Sequence, residues 1–297
     1  MAGGRRLAPG AGGGAGTPAT AAFERLAERF GSTMADLGQA GRPRFVRDDW
    51  AARNAELERF LTPRPPADFL RHPVILHQMF VGDRYLPAEL PYVLGRLPAV
   101  GLAAEDPVGD PPTHRMADHG VVTSSNTVHH LHHLLRYEDE TGRRLGDLTT
   151  VVEWGGGYGN LAKLLIRLHG GALTYVLIDN PVFAALQWLY LASVLGDDRV
   201  RLHRSPGTAL ASGLVNVVPL GLVDDLEIET DLFVSTWALN ESSPQAQCYV
   251  RDRQWFGAEG LLVAMHDTDP LASVVIGAGA RPSPVGPFMP AQRYFVR

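Results

Sequence analysis

The segment that most constrains this chain is a bend, Glu153-Trp154-Gly155-Gly156-Gly157-Tyr158-Gly159. It follows Thr149-Thr150-Val151-Val152, a β-branched run that favours a strand. It precedes a run in which Leu161, Leu164, Leu165 and Leu168 share one helical face. Glycine is needed where the backbone takes positive φ or lets a ligand approach closely. A helix that starts just after such a bend presents unpaired N–H groups. In an open α/β sheet, ligands bind beyond the carboxyl ends of the strands. The bend is therefore a ligand platform, provided the surrounding chain alternates strand and helix.

It does alternate. Strand-like runs recur at 174–178, 200–203, 231–235 and 260–265, with helical patterns between most of them. Pro181 to Leu195 reads as a helix, with Asn180 as cap, proline at the first helical position and Gly196 just past the end. This predicts an α/β fold, a mostly parallel sheet covered by helices on both faces. For the far edge, residues 286–297 can supply one strand and 274–277 part of another. The upstream half differs. Residues 1–20 form a Gly/Ala/Pro tail, too poor in apolar surface to offset its ordering entropy, and are expected to be disordered. Residues 21–120 read as a mostly helical segment, with helices at 21–37, 48–61, 68–81 and 87–96, a loop-like stretch at 103–120, and no strand pattern before Thr149. A further helix is expected over 126–140 with Asn126 as cap. The expected division is a helical N-terminal lid at 21–120 and a ligand-binding domain at 121–297.

Charge narrows the partners. A formal net charge of -5 offers no field that a nucleic-acid backbone would select. The one cysteine, Cys248, cannot form an internal disulfide, which suits a reducing cytoplasm. No apolar run approaches the roughly 18 residues that span a bilayer, and the N-terminus lacks the apolar core of a signal peptide. The expected partner is a small molecule, with neither nucleic acid nor membrane, and a homodimer as the candidate assembly.

The acids around the bend discriminate between ligands. A dinucleotide fingerprint reads G-x-G-x-x-G, with alanine allowed at the last place. Counted from Gly155 that place falls on Asn160; counted from Gly157 it falls on Ala162, a looser match. Glu153 would repel a pyrophosphate and suits a ligand carrying an ammonium and a sulfonium. Asp179 ends the next strand-like run, where a carboxylate can accept hydrogen bonds from ribose hydroxyls. The competing reading is a tight turn with two surface acids.

At these residues the chain resembles a class I, Rossmann-like S-adenosylmethionine-dependent methyltransferase. Glu153–Gly159 resembles the family's first motif, and Ile178-Asp179-Asn180-Pro181 its second-strand motif. More narrowly, Glu153–Asn160, Asp179–Pro181 and Asp231–Ser243 resemble a bacterial sugar O-methyltransferase group. The resemblance covers roughly residues 121–297. It implies S-adenosyl-L-methionine as cofactor and a sugar, a glycosylated natural product or an amine as acceptor. It places Gly155, Gly157 and Gly159 against the methionine part and Asp179 at the ribose, with Glu153, Tyr158 and Asn180 as further cofactor-binding residues. Ser205, after the third strand, would border the adenine, and Ser235 and Trp237 would lie near the transferred methyl.

Methyl transfer to an alcohol needs a base as well as alignment. His129, His130, His132 and His133 gather on the helix before the first strand, and His133 neighbours both His129 and His130 on that helix. His266 and Glu241 follow later strands at the ligand-binding end. The expected catalytic residues are His266 or Glu241, with His133 as a further candidate. The duller alternatives are packing histidines, a metal pair at His129 and His133, and Glu241 as cap of the helix starting near Pro244. No metal is expected. Two other classes stay open: a nicotinamide-dependent oxidoreductase, and a non-catalytic binding protein on the same fold.

Overall fold

The structure, a computed structural model, describes residues 17–38 and 40–297. Ten strands and eleven α-helices are formed among them. The strands are β1 (His114–Met116), β2 (Val121–Thr123), β3 (Thr150–Trp154), β4 (Thr174–Asp179), β5 (Val200–Leu202), β6 (Val215–Pro219), β7 (Leu232–Thr236), β8 (Gly260–His266), β9 (Arg281–Pro284) and β10 (Gln292–Val296). The helices are α1 (Pro18–Ala27), α2 (Phe30–Leu37), α3 (Asp48–Leu61), α4 (Pro73–Met79), α5 (Leu86–Arg96), α6 (Ser125–Thr141), α7 (Asn160–His169), α8 (Pro181–Leu195), α9 (Ala238–Glu241), α10 (Pro244–Asp252) and α11 (Leu271–Gly277).

The main sheet runs in the order β5-β6-β4-β3-β7-β8-β10-β9. The pairs from β5 to β8 are parallel, and β10 is antiparallel to both its neighbours. Strands buried on both faces read as nearly continuous apolar runs, as in Val215–Pro219 and Leu232–Thr236. Successive side chains alternate between faces. Val151 and Leu177 join one core, together with apolar residues of α1, α2, α3, α5, α6, α7 and α8. Val152, Trp154, Val176 and Ile178 join the other, against residues of α10 and α11. The chain winds from β3 toward β5 on one side, then crosses back to lay down β7 and β8 on the other. The direction therefore reverses between β3 and β7, the place where open α/β sheets bind ligands.

Several expectations are corrected here. Of the tail expected at 1–20, residues 1–16 lie outside the described residues; Pro18 already opens α1, capped by Thr17, whose side chain accepts from the Thr20 N–H. The helix expected at 21–37 breaks near Arg29 into α1 and α2. The stretch at 103–120 contains β1, which pairs with β2 in a small hairpin. Ser124, not Asn126, caps α6 through its hydroxyl. Residues 274–277 are helical, and the strand beside β10 comes from Arg281–Pro284. The strand expected at 200–203 exists as β5, but β6, which the sequence did not announce, separates it from β4. Asn216 interrupts the apolar pattern of β6 and is fully buried, its amide bonding Ala211 and Leu214 carbonyls. Among the described residues, no helix is long and apolar enough to cross a membrane.

Candidate active site

The bend after β3 opens into a cavity of about 360 Å³ at the reversal point. Gly155 and Gly157 take φ of +76° and +57°, conformations that L side chains rarely adopt. A Cβ on Gly155 would stand 2.2 Å from the Ala238 Cβ, so the backbones after β3 and β7 are closely apposed. A Cβ on Gly157 would stand 3.2 Å from the sulfur of Met79. The end of α4 thus lies directly over the bend. Phe80 extends this cover by stacking on Tyr158, centroids 5.4 Å apart and planes within 7°. The Tyr158 hydroxyl accepts from the Asn126 amide at 3.0 Å.

Two buried carboxylates face the bend from the same side of the sheet. Glu153 accepts from the Tyr175 hydroxyl at 2.8 Å, and burial pushes its pKa up to about 8, with the nearby charge of Asp179 adding to the shift. Asp179 accepts from the Asn180 N–H at 2.8 Å and the Gln187 amide at 2.8 Å, yet burial still pushes it up to about 7. Neither has a cationic partner among the described residues. Glu153, Asp179 and Glu241 all line the cavity, against Arg47 as the one basic side chain of fixed charge among the described residues that line it. This charge balance fits a cationic ligand and disfavours a pyrophosphate.

Most of the residues singled out from the sequence converge on the cavity. Glu153, Gly155, Gly157, Tyr158, Asp179, Asn180, Trp237, Glu241 and His133 line it. Gly159 stands just behind, at the N-cap of α7 with φ +98°, packed on Leu191. Ser235 is buried outside the lining; its hydroxyl donates to the Trp154 carbonyl and accepts from the Leu239 N–H, each at 3.0 Å, tying the ends of β3 and β7 together. Ser205 is a correction. It is exposed and bonded to Thr208, because β5 is the outer strand and its following turn lies away from β4. Leu220, after β6, lines the cavity instead.

His266 is a second correction. It ends β8 but is exposed, its Nδ1 engaged by Thr268 and near Asp267, and it does not line the cavity. Glu241 does line it, accepts from the Trp50 indole at 3.1 Å, and is raised in pKa by burial. It does not cap α10, a role taken by Ser243. Trp237 holds φ +61°, an uncommon value for a bulky residue, and its indole donates to Gln292 at 2.7 Å.

The histidines of α6 have distinct partners. The Nδ1 of His129 is 2.6 Å from Oε1 of Glu89, and both residues are buried. The Tyr294 hydroxyl lies 3.0 Å from Nδ1 of His132 and 2.6 Å from Nδ1 of His133. One hydroxyl carries one proton, so it donates to one imidazole and accepts from the other, and the two rings hold opposite tautomers. The Nδ1 of His130 faces the Asn160 amide at 3.1 Å. Burial pushes His130 and His132 down to about 3 and His133 far below its ordinary value. No group of three His, Cys, Asp or Glu side chains among the described residues is arranged to hold a metal ion.

Sequence reasoning missed Gln187, Met79, Trp50 and Glu89. Gln187 left one signal, an amide within the otherwise apolar run of α8. Trp50 and Met79 reach the cavity from α3 and α4, and Glu89 reaches His129 from α5; their distance along the chain hides these contacts.

No protein-family model matches the chain, and no curated protein matches it. Solved structures that align with the chain include the mitomycin 7-O-methyltransferase MmcR, at 15% identity and TM-score 0.42 over 59% of this chain and 54% of that one. The N,N-8-amino-8-demethyl-D-riboflavin dimethyltransferase RosA of Streptomyces davawensis aligns at 20% identity and TM-score 0.36, over 55% and 53%. Fibrillarin of Aeropyrum pernix, with natively bound S-adenosyl-L-methionine, aligns at 14% identity and TM-score 0.42, over 66% and 86%. The chain thus spans about half the length of the first two.

Proposed function

We propose that this chain is an S-adenosylmethionine-dependent methyltransferase acting on a small molecule. The observation that carries the reading is the juxtaposition, in one cavity at the sheet's reversal point, of the Gly155–Gly157 bend with the buried carboxyls of Glu153 and Asp179. Glu153 would face the donor's ammonium side. Asp179, oriented by Asn180 and Gln187, would accept from ribose hydroxyls. When bound, the donor supplies a sulfonium-activated methyl group; the chain's residues supply position, buried carboxyls that ionise against the donor's charge, and exclusion of water.

Residues 21–120 would act as the lid, with Met79 and Phe80 over the bend and Trp50 reaching Glu241. The acceptor would be a sugar or a sugar-bearing natural product. An N-methyltransferase for an amine is the second reading, favoured by the acidic lining, which would also attract an ammonium. Calorimetric titration of the full chain with S-adenosylhomocysteine and, separately, NADH tests the proposal. Binding of the former, lost in Asp179→Ala, is expected. Binding of NADH alone would reverse the assignment in favour of an oxidoreductase.

A further inference from the structure

Four histidines stand together on α6, and only one is built as a base. His129 alone has a carboxylate at hydrogen-bond distance, Oε1 of Glu89 at 2.6 Å; His132 is 4.0 Å from the same oxygen. Glu89 is fully buried, and its other oxygen, Oε2, has no partner among the described residues. A buried carboxylate is costly, and one brought from α5 to meet a histidine 40 residues on is not explained by surface chemistry. The contact fixes a tautomer. An ionised Glu89 accepts Nδ1–H, which leaves Nε2 as the lone-pair nitrogen. Nε2 has no hydrogen-bond partner among the described residues, and His129 lines the cavity. The ring is also held in orientation. Trp237 and Tyr85 lie nearly parallel to it, at 24° and 23°, with centroids 5.8 and 6.5 Å away.

The neighbouring rings lack these features. The Nδ1 atoms of His130, His132 and His133 are engaged by neutral groups, and burial disfavours their protonated forms. A base needs its cationic form stabilised at the moment it takes the proton. Only the Glu89 carboxylate does that.

Resting on the methyltransferase reading above, we infer that His129, oriented by Glu89, takes a proton from the acceptor, and that the acceptor's nucleophile is a hydroxyl. The hydroxyl proton passes to Nε2 of His129. The oxygen's electron pair forms the new O–C bond as the C–S bond breaks, and sulfur keeps the electron pair of the broken C–S bond. The proton on His129 then leaves to solvent. An amine that arrives neutral needs no such base, so the dyad would be superfluous in an N-methyltransferase. His129 is the catalytic residue, and Glu89 the positioning residue.

The test uses the full chain with His129→Gln, Glu89→Gln and Glu89→Asp. In the histidine-labelled wild-type protein without ligand, nitrogen NMR should show His129 protonated at Nδ1 and bare at Nε2, the signal being assigned by its loss in His129→Gln. A proton on Nε2 would overturn the inference before any turnover is measured. Labelled-methyl transfer is then read against glycosides and phenols, and against amino sugars and anilines. Transfer to hydroxyl acceptors is expected, falling about 10²–10⁴-fold in His129→Gln with S-adenosylhomocysteine affinity kept within about twofold. Glu89→Gln should lower kcat at little-changed KM, and Glu89→Asp should restore part of it. Wild-type turnover in His129→Gln, transfer to amines alone, or no transfer to any hydroxyl acceptor by a chain that binds S-adenosylhomocysteine would each defeat the inference. Failure of the wild-type chain to bind S-adenosylhomocysteine would instead defeat the methyltransferase reading.

Discussion

The Gln187 amide donates to Oδ2 of Asp179 at 2.8 Å and to the Gly157 carbonyl at 3.0 Å, so one side chain of α8 fastens the acid ending β4 to the glycine bend after β3. The two motifs of the candidate donor site are thereby held in one geometry. Gln187→Leu keeps the bulk but leaves a buried carboxylate oxygen and a carbonyl without this donor. Losses of that kind cost about 1–3 kcal/mol. The expected outcome is a cooperative fold with lowered stability and S-adenosylhomocysteine affinity reduced about tenfold or more, read by chemical denaturation and calorimetry. Unchanged affinity would show that the clip does not shape the site.

The two buried acids give a proton-linked binding reaction. Both stand above the ordinary carboxylate range, Glu153 at about 8 and Asp179 at about 7, because burial disfavours their ionised forms. The stability they contribute to the ligand-free chain is present below pH ~4 and is lost as the pH rises through 7 and 8. A cationic donor reverses the preference by favouring the ionised carboxylates. Binding of S-adenosylmethionine near pH 7 should therefore release protons, and affinity should rise with pH across this window. Calorimetry in two buffers of different ionisation enthalpy measures the release. It should shrink in Glu153→Gln and in Asp179→Asn; proton uptake would contradict the assignment.

A buried ion network joins the N-terminal segment to the helix behind the bend. Lys163 of α7 is fully buried and contacts Glu105 at 2.9 Å, Asp106 at 3.1 Å and the Tyr190 hydroxyl at 2.9 Å. Arg167 adds a two-pronged pair to Asp106 at 2.9 and 3.0 Å. Burial alone would raise Glu105, but Lys163 and the hydroxyls of Ser124 and Thr127 hold it below its ordinary value. Lys163→Met strands Glu105 without its cation, a class of change that costs about 3–5 kcal/mol. The double variant Lys163→Met/Glu105→Gln should recover part of this loss in urea denaturation. Additive destabilisation would show that the two do not act as a pair.

Trp237 combines a left-handed backbone with packing against His129 and His133, at centroid distances of 5.8 and 5.4 Å. Strain of this kind costs of order 1–3 kcal/mol and persists where the surroundings over-determine it. In Trp237→Gly, relief of strain offsets part of the lost packing, so the melting temperature should move by only a few degrees. Methyl transfer should fall at least about tenfold, because the ring that orients His129 is gone. A large loss of stability with activity per folded molecule intact would mean that the tryptophan serves the core alone.

The sequence by itself determined what short-range patterns encode. The β-branched run, the bend and the leucine face specified β3, its turn and α7, and α8 was legible to the residue from Pro181 to Leu195. Glu153 and Asp179 were legible as acids at or beside the carboxyl ends of β3 and β4, and the structure sets both in the lining of one cavity. Tertiary structure decided everything that depends on pairing between distant segments. It inserted β6 between β4 and β5, which took Ser205 from the site and put Leu220 in it. It left His266 exposed at the end of β8, and it gave His129, of four similar neighbours, a carboxylate partner by bringing Glu89 across from α5. Helical spacing says which side chains share a face; it does not say what lies opposite, and a histidine's chemistry is set by its partner.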